Sequence, residues 1–182
     1  MIAKQLSSIL SRPLFKYLIL FVATYHILAA FIVYAPSVSH NFTFKVTNIA
    51  TTVLKGLGFT AEIYPQASHV EYTEIRFEST IYRVNDECTG LYLIMLVIAS
   101  VVAVPTALPI RIFGIILTGF IAACIGCMRI VILGCVAEYQ SHIFHLFHTY
   151  LMEVATIGIC AVILSVWCNF ALPYRKSTAH EC

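Results

Sequence analysis

Apolar positions gather in four long runs, at residues 15–35, 88–104, 111–137 and 147–172. Short polar joints and one long polar segment, 37–87, separate them. A helix needs roughly 20 residues to cross a hydrocarbon core ~30 Å thick, and backbone in lipid must satisfy its own hydrogen bonds. The pattern therefore predicts four membrane-spanning helices. Prolines punctuate them. Pro36 closes the first run, Pro105 the second, and Pro173 follows the fourth, while Thr106-Ala107-Leu108-Pro109-Ile110 forms a tight joint between the second and third. The second run is long enough only if its helix starts near Cys88, which puts that residue in the first helical turn.

The polar segment has two parts. Phe42, Val46, Ile49, Val53 and Leu57 recur at helical spacing with Lys45, Asn48, Thr52 and Lys55 between them. This predicts an amphipathic helix lying on the membrane surface or packed on the bundle, ending at Gly56 or Gly58. Residues 62–84 are rich in Tyr, Val, Ile and Thr. Val70 with Tyr72, Ile75 with Phe77, and residues 81–84 approach strand alternation, which predicts a β-hairpin or short three-stranded sheet leading directly into Cys88. The fold class is thus all-α integral membrane: a four-helix transmembrane bundle with a small extracytoplasmic helix and sheet between the first two spans, one membrane domain over residues 1–182.

Composition sharpens the picture. Of 182 residues, 60% are hydrophobic and 11% charged, against about half and a quarter in a soluble domain. A net charge of +2 without a basic cluster argues against nucleic acid as a partner. Lys4, Arg12, Lys16, Arg111, Arg175 and Lys176 all fall on one side of a four-span arrangement, and the bias of basic residues assigns that side to the cytoplasm. Residues 37–87 then face outward. The N-terminal basic residues resemble those of a signal peptide, but the run after them is longer than a signal's apolar core and ends without a small-x-small site, so it reads as an uncleaved span. Cys124, Cys127, Cys135, Cys160 and Cys168 lie within apolar runs and read as small hydrophobes rather than a disulfide framework. Asn41-Phe42-Thr43 fits a glycosylation acceptor, a pattern too short to carry weight.

Topology brings three chemically capable residues to one depth. Cys88 opens the second span from the outside, and His148 opens the fourth from the outside. Arg129 lies 18 residues beyond Arg111, which at 1.5 Å per residue is roughly 27 Å along the third helix, near the outer boundary. Each has a bland reading as an interfacial residue, but an Arg inside Ile125-Gly126-Cys127-Met128 and Ile130-Val131-Ile132 is costly in lipid and marks function. A thiolate attacks a peptide carbonyl, and a nearby imidazole, cation or helix N-terminus favours the thiolate. The imidazole protonates the leaving amine, and a guanidinium stabilises the oxyanion.

At these residues the chain resembles the exosortase/archaeosortase family of membrane cysteine transpeptidases. Cys88-Thr89-Gly90-Leu91 is similar to the family's Cys-(Ser/Thr)-Gly signature, Met128-Arg129-Ile130 to its Arg-Ile segment, and Phe147-His148 to its final His motif, in the same order. The family often has Asn three residues before the Arg, where this chain has Gly126. The resemblance spans roughly residues 81–166, and the chain is short for a family whose members often carry extra spans. It implies Cys88 as nucleophile, His148 as general acid/base and Arg129 as the oxyanion or substrate-orienting residue. It also implies an extracytoplasmic site in the cytoplasmic (inner) membrane. The substrates would be exported proteins ending in a short motif, a transmembrane helix and a basic tail. The acceptor would be an amine or membrane lipid, with no metal or organic cofactor.

Two other chemistries are legible. Cys124-Ile125-Gly126-Cys127 is a Cys-x-x-Cys pair of the kind used by membrane thiol–disulfide oxidoreductases, although the outer segment holds no second pair. His142, His145 and His148 recur every third residue and suggest a metal or haem binder. Asp86 and Glu87 read as loop or capping residues, and Glu138, Glu153, Tyr92 and Tyr150 have no assigned role.

Overall fold

The computed structural model describes residues 13–64, 72–78 and 80–178. Helix α1 (Pro13–Tyr34) is followed at once by α2 (Pro36–Gly56), then by strands β1 (Glu62–Tyr64), β2 (Thr73–Arg76) and β3 (Ile81–Val84). Helices α3 (Leu91–Ala103) and α4 (Leu108–Tyr139) come next. A 3₁₀ turn (Ser141–Ile143), one α-turn (Phe144–Leu146) and a π-turn (Phe147–Leu151) then lead into α5 (Met152–Thr178). Prolines act where their missing N–H costs least: Pro36 opens α2 and Pro109 sits in the first turn of α4. Pro105 forces Val104 into extended backbone, φ −74° and ψ 127°, and α3 stops there.

Three helical segments are long and apolar enough to cross a membrane: Phe15–Tyr34, Leu108–Tyr139 and Phe144–Ala171. They present large apolar side chains outward, among them Ile27 and Phe31 on α1, Ile116 and Phe120 on α4, and Val154, Ile157 and Val162 on α5. So much contiguous apolar surface is foreign to a water-soluble monomer and belongs against lipid. The expected second span differs. Its helix begins at Leu91, not near Cys88, and has 13 residues, roughly 20 Å of rise. It is the innermost helix of the bundle, packed against α1, α4 and α5, with every second side chain from Leu91 to Ala103 buried. A helix apolar all round belongs in such a position. At the other end α5 continues through Pro173, past the expected stop at 172.

Helix α2 packs on the bundle, against α4, by a face that coincides only in part with its apolar periodicity, through Val46 and the partly buried Phe42. Ser39, Thr43, Val46, Thr47, Ala50, Thr51 and Leu54 are buried, while Ile49, Val53 and Leu57 are exposed. Small and hydroxyl-bearing side chains let the two helix backbones approach closely. Gly134 of α4 contributes, since a Cβ there would lie 3.1 Å from Leu54 Cδ1.

The three strands form an antiparallel meander in the order β1-β2-β3, with Ile63 opposite Ile75 and Ile75 opposite Tyr82. The expected Val70 strand position lies outside the described residues. Ile75, Tyr82 and Val84 turn inward onto Val46, Leu54, Ile130 and Leu133, so the sheet caps α2 and the far end of α4 with one apolar core that includes Cys88. Across the β2–β3 pair Glu74 accepts from Arg83 at 3.2 Å, and along β2 it meets Arg76 at 3.8 Å.

Candidate active site

The residues from Asn85 to Gly90 turn the chain from β3 into α3, held by a set of local hydrogen bonds. The Cys88 N–H donates to the Asn85 carbonyl at 3.0 Å and to its side-chain Oδ1 at 3.2 Å. Thr89 Oγ1 donates to the Asp86 carbonyl at 2.8 Å. The Asp86 carboxylate accepts from Ser39 Oγ and, at 2.5 Å, from Thr43 Oγ1, tying the turn to α2. Gly90 adopts φ 78°, a left-handed conformation open to glycine, and α3 starts at the next residue.

Beneath this turn lies Gly126 of α4. A Cβ there would sit 2.0 Å from the Thr89 carbonyl oxygen, so the turn rests directly on helix backbone. Arg129, one helical turn further on, is thereby placed alongside, and its Nη1 donates to the Glu87 carbonyl at 3.4 Å. Its Nε is buried with no hydrogen-bond partner among the described residues.

His148 comes from the π-turn, a widened helical turn of a kind frequent at functional sites. Its Nε2 is 3.3 Å from Cys88 Sγ. Phe144 stands edge-on to both His148 and Tyr82, with ring centroids 5.6 Å and 5.5 Å away. The structure thus brings Cys88, His148 and Arg129 to one locus. Beside it a cavity of about 220 Å³ runs from Glu87 and Arg129 past Gly126, Leu93 and Leu96 to Cys160.

Electrostatics depart from the sequence-based expectation that a cation and a helix end would hold the thiol low. Cys88 is 1% exposed. Burial pushes its thiol above the usual range, and the Tyr82 phenol, the Asn85 contact and Arg129 offset this only in part. The helix dipole acts from Leu91 rather than from Cys88 itself. Cys88 therefore rests as the thiol at neutral pH. Tyr82, buried on β3, is raised well above the usual phenol range, first by burial and then by the neighbouring sulfur.

Tyr82 and Asn85 were not singled out from the sequence. The alternation within residues 81–84 held the signal for Tyr82, since period two puts it on the inward face with Val84. Other candidates fall elsewhere. His142 and His145 are exposed. Glu138 accepts from Thr80 at 3.0 Å, pinning the β2–β3 connection to α4. Glu153 and Tyr150 are exposed, and Tyr92 lines the cavity. Cys124 is exposed on α4, Cys127 is half-buried, and both are free thiols. Among the described residues no three His, Cys, Asp or Glu side chains converge as metal ligands. No family model, curated protein or solved structure matches this chain.

Proposed function

We propose that this protein is a multi-pass membrane cysteine transpeptidase, similar in logic to the exosortases and archaeosortases, with its site on the extracytoplasmic side of the cytoplasmic membrane. The observation that carries the reading is the 3.3 Å approach of His148 Nε2 to Cys88 Sγ, in a turn that also takes a hydrogen bond from Arg129. In this reading the 13-residue α3 is the further crossing, and the Asn85–Gly90 turn lies above it at the outer water boundary.

The chemistry follows from the groups. The Cys88 proton passes to His148 Nε2 as the sulfur attacks the carbonyl carbon, so proton removal and attack are coupled rather than preceded by a standing thiolate. The carbonyl oxygen becomes an oxyanion stabilised by the Arg129 guanidinium. The C–N bond then breaks, His148 returns its proton to the departing amine, and the acyl group remains on Cys88 as a thioester. An acceptor amine, deprotonated by His148, attacks the thioester and releases the thiol. The substrate is an exported protein with a C-terminal motif, a transmembrane helix and a basic tail. Its scissile bond lies at the membrane boundary, where the cavity wall of α3, α4 and α5 lies next to the turn.

Processing of such a substrate, followed by loss of its C-terminal helix and by a hydroxylamine-labile acyl adduct mapped to Cys88, tests the reading. Cys88→Ala is expected to abolish both, and Cys124→Ala with Cys127→Ala to leave both intact. The opposite pattern would overturn the proposal in favour of thiol–disulfide exchange at Cys124 and Cys127.

A further inference from the structure

We propose that the Tyr82 hydroxyl is a further donor of this site: it gives a hydrogen bond to the Cys88 sulfur as the thiol proton leaves, stabilising the negative charge that builds there during attack. The purpose of such a donor rests on the acyl-transfer reading, but the thiol chemistry it predicts does not.

Three observations carry the assignment. Tyr82 is 3% exposed and fixed on both sides, by its cross-strand place opposite Ile75 and by the edge of Phe144, which also holds the His148 ring. Its Oη is buried and has no well-aligned hydrogen-bond partner among the described residues. A buried hydroxyl without an acceptor is rare and costly. That phenol nonetheless shares one buried cluster with Cys88, and the Cys88 sulfur and Arg129 both act on it electrostatically. A neutral S–H is a poor acceptor, whereas a thiolate is a strong one. The donor is thus only weakly engaged in the resting site and becomes fully engaged when the charge appears. Tyr82 keeps its proton throughout, because burial holds the phenol well above its usual range.

The other groups facing the sulfur do not duplicate this role. His148 takes the proton, Arg129 serves the carbonyl oxygen, and Glu87 on the same turn opposes a thiolate. Asp86 is engaged by Ser39 and Thr43, the polar side chains that α2 presents to the turn. The outer sheet is then part of the chemistry rather than a lid above it.

The test is peptide-resolved alkylation of Cys88 by iodoacetamide across pH 6–11, on the full-length protein in detergent, for wild type, Tyr82→Phe and the exposed-site control Tyr64→Phe. Removing a donor that favours the thiolate raises the thiol pKa. Tyr82→Phe is expected to slow labelling at pH 8 about tenfold, the equivalent of one pKa unit, while the high-pH plateau stays at the wild-type rate. A lowered plateau would report lost access instead of a lost hydrogen bond and would overturn the proposal, as would an unchanged midpoint. Thermal melting of each variant checks folding. A shifted midpoint together with absent substrate processing would retain the Tyr82 assignment while rejecting the transpeptidase reading.

Discussion

Gly126→Ala is the sharpest probe of how the site is built. The new Cβ would lie 2.0 Å from the Thr89 carbonyl oxygen, 2.7 Å from its carbonyl carbon and 3.1 Å from the Gly90 nitrogen. All three are backbone atoms, so no side chain can rotate out of the way. An ordinary C···O approach is about 3.3 Å or more, so the turn must lift by roughly 1 Å. Two effects oppose each other. Ala in place of Gly in a helix interior is favourable by about 0.5–1 kcal/mol, and overpacking costs about 1–3 kcal/mol. The balance is a loss of about 1–2 kcal/mol. In the proposed reaction the loss is larger, because moving Cys88 off its 3.3 Å contact with His148 by about 1 Å would cost on the order of 100-fold in rate. Gly119→Ala is the matched control on the same helix, since nothing lies within 4 Å of its added Cβ. Melting in detergent, with maleimide labelling of Cys88, reads both effects. Gly126→Ala should melt below wild type and label faster, as the buried thiol is uncovered, whereas Gly119→Ala should match or exceed wild type in melting and leave labelling unchanged. A Gly126→Ala protein as stable as the Gly119→Ala one, with labelling unchanged, would refute the seating of the turn on α4.

Two further outcomes follow from the same geometry. Asp86→Ala removes the acceptor of both the Ser39 and Thr43 hydroxyls, stranding two buried groups at about 1–3 kcal/mol, and should lower the melting midpoint more than Ser39→Ala and should loosen α2, read as faster hydrogen exchange over Pro36–Gly56. The Cys88 thiol is raised in the folded protein by burial, so folding favours its protonated form. That contribution is present below the thiol's unfolded value and is lost as pH rises through the folded one, so melting between pH 8 and 10.5 should fall more steeply in wild type than in Cys88→Ala, and equal slopes would contradict the burial argument.

Long-period features were legible in the sequence, and close-contact features were not. The apolar runs of α1, α4 and α5 are strong because lipid tolerates little else on a helix exterior, and the short strands announced themselves by alternation. Helix α3 was misjudged at its start because apolar content does not report the left-handed residue at Gly90 that ends the turn. On α2 the apolar periodicity found part of the packed face, since Val46 is buried and Phe42 packs on the core, but Ile49, Val53 and Leu57 face outward, because packing there is also governed by small hydroxyl residues and by Asp86, a partner 43 residues beyond Thr43. Cys88, Arg129 and His148 could be brought to a common depth by counting residues along helices. The burial that raises the thiol could not be anticipated, because it depends on the sheet folding down over the turn. Gly126, where the sequence departs from the pattern it otherwise resembles, is the residue whose missing side chain makes room for that turn.

The π-turn at Phe147–Leu151 is in effect an α-helix carrying one surplus residue. One residue amounts to about 100° of azimuth around a helix axis. From Met152 onward the helix can therefore keep the setting that aims Val154, Ile157, Val162 and Val166 away from the protein, while the imidazole above keeps another. Excising a single position between Phe147 and Leu151 would lock both halves to a shared angle, swinging the ring off the sulfur or rolling the greasy flank inward. The outward apolar flank and the placing of the imidazole against the sulfur can thus be adjusted separately along one continuous rod.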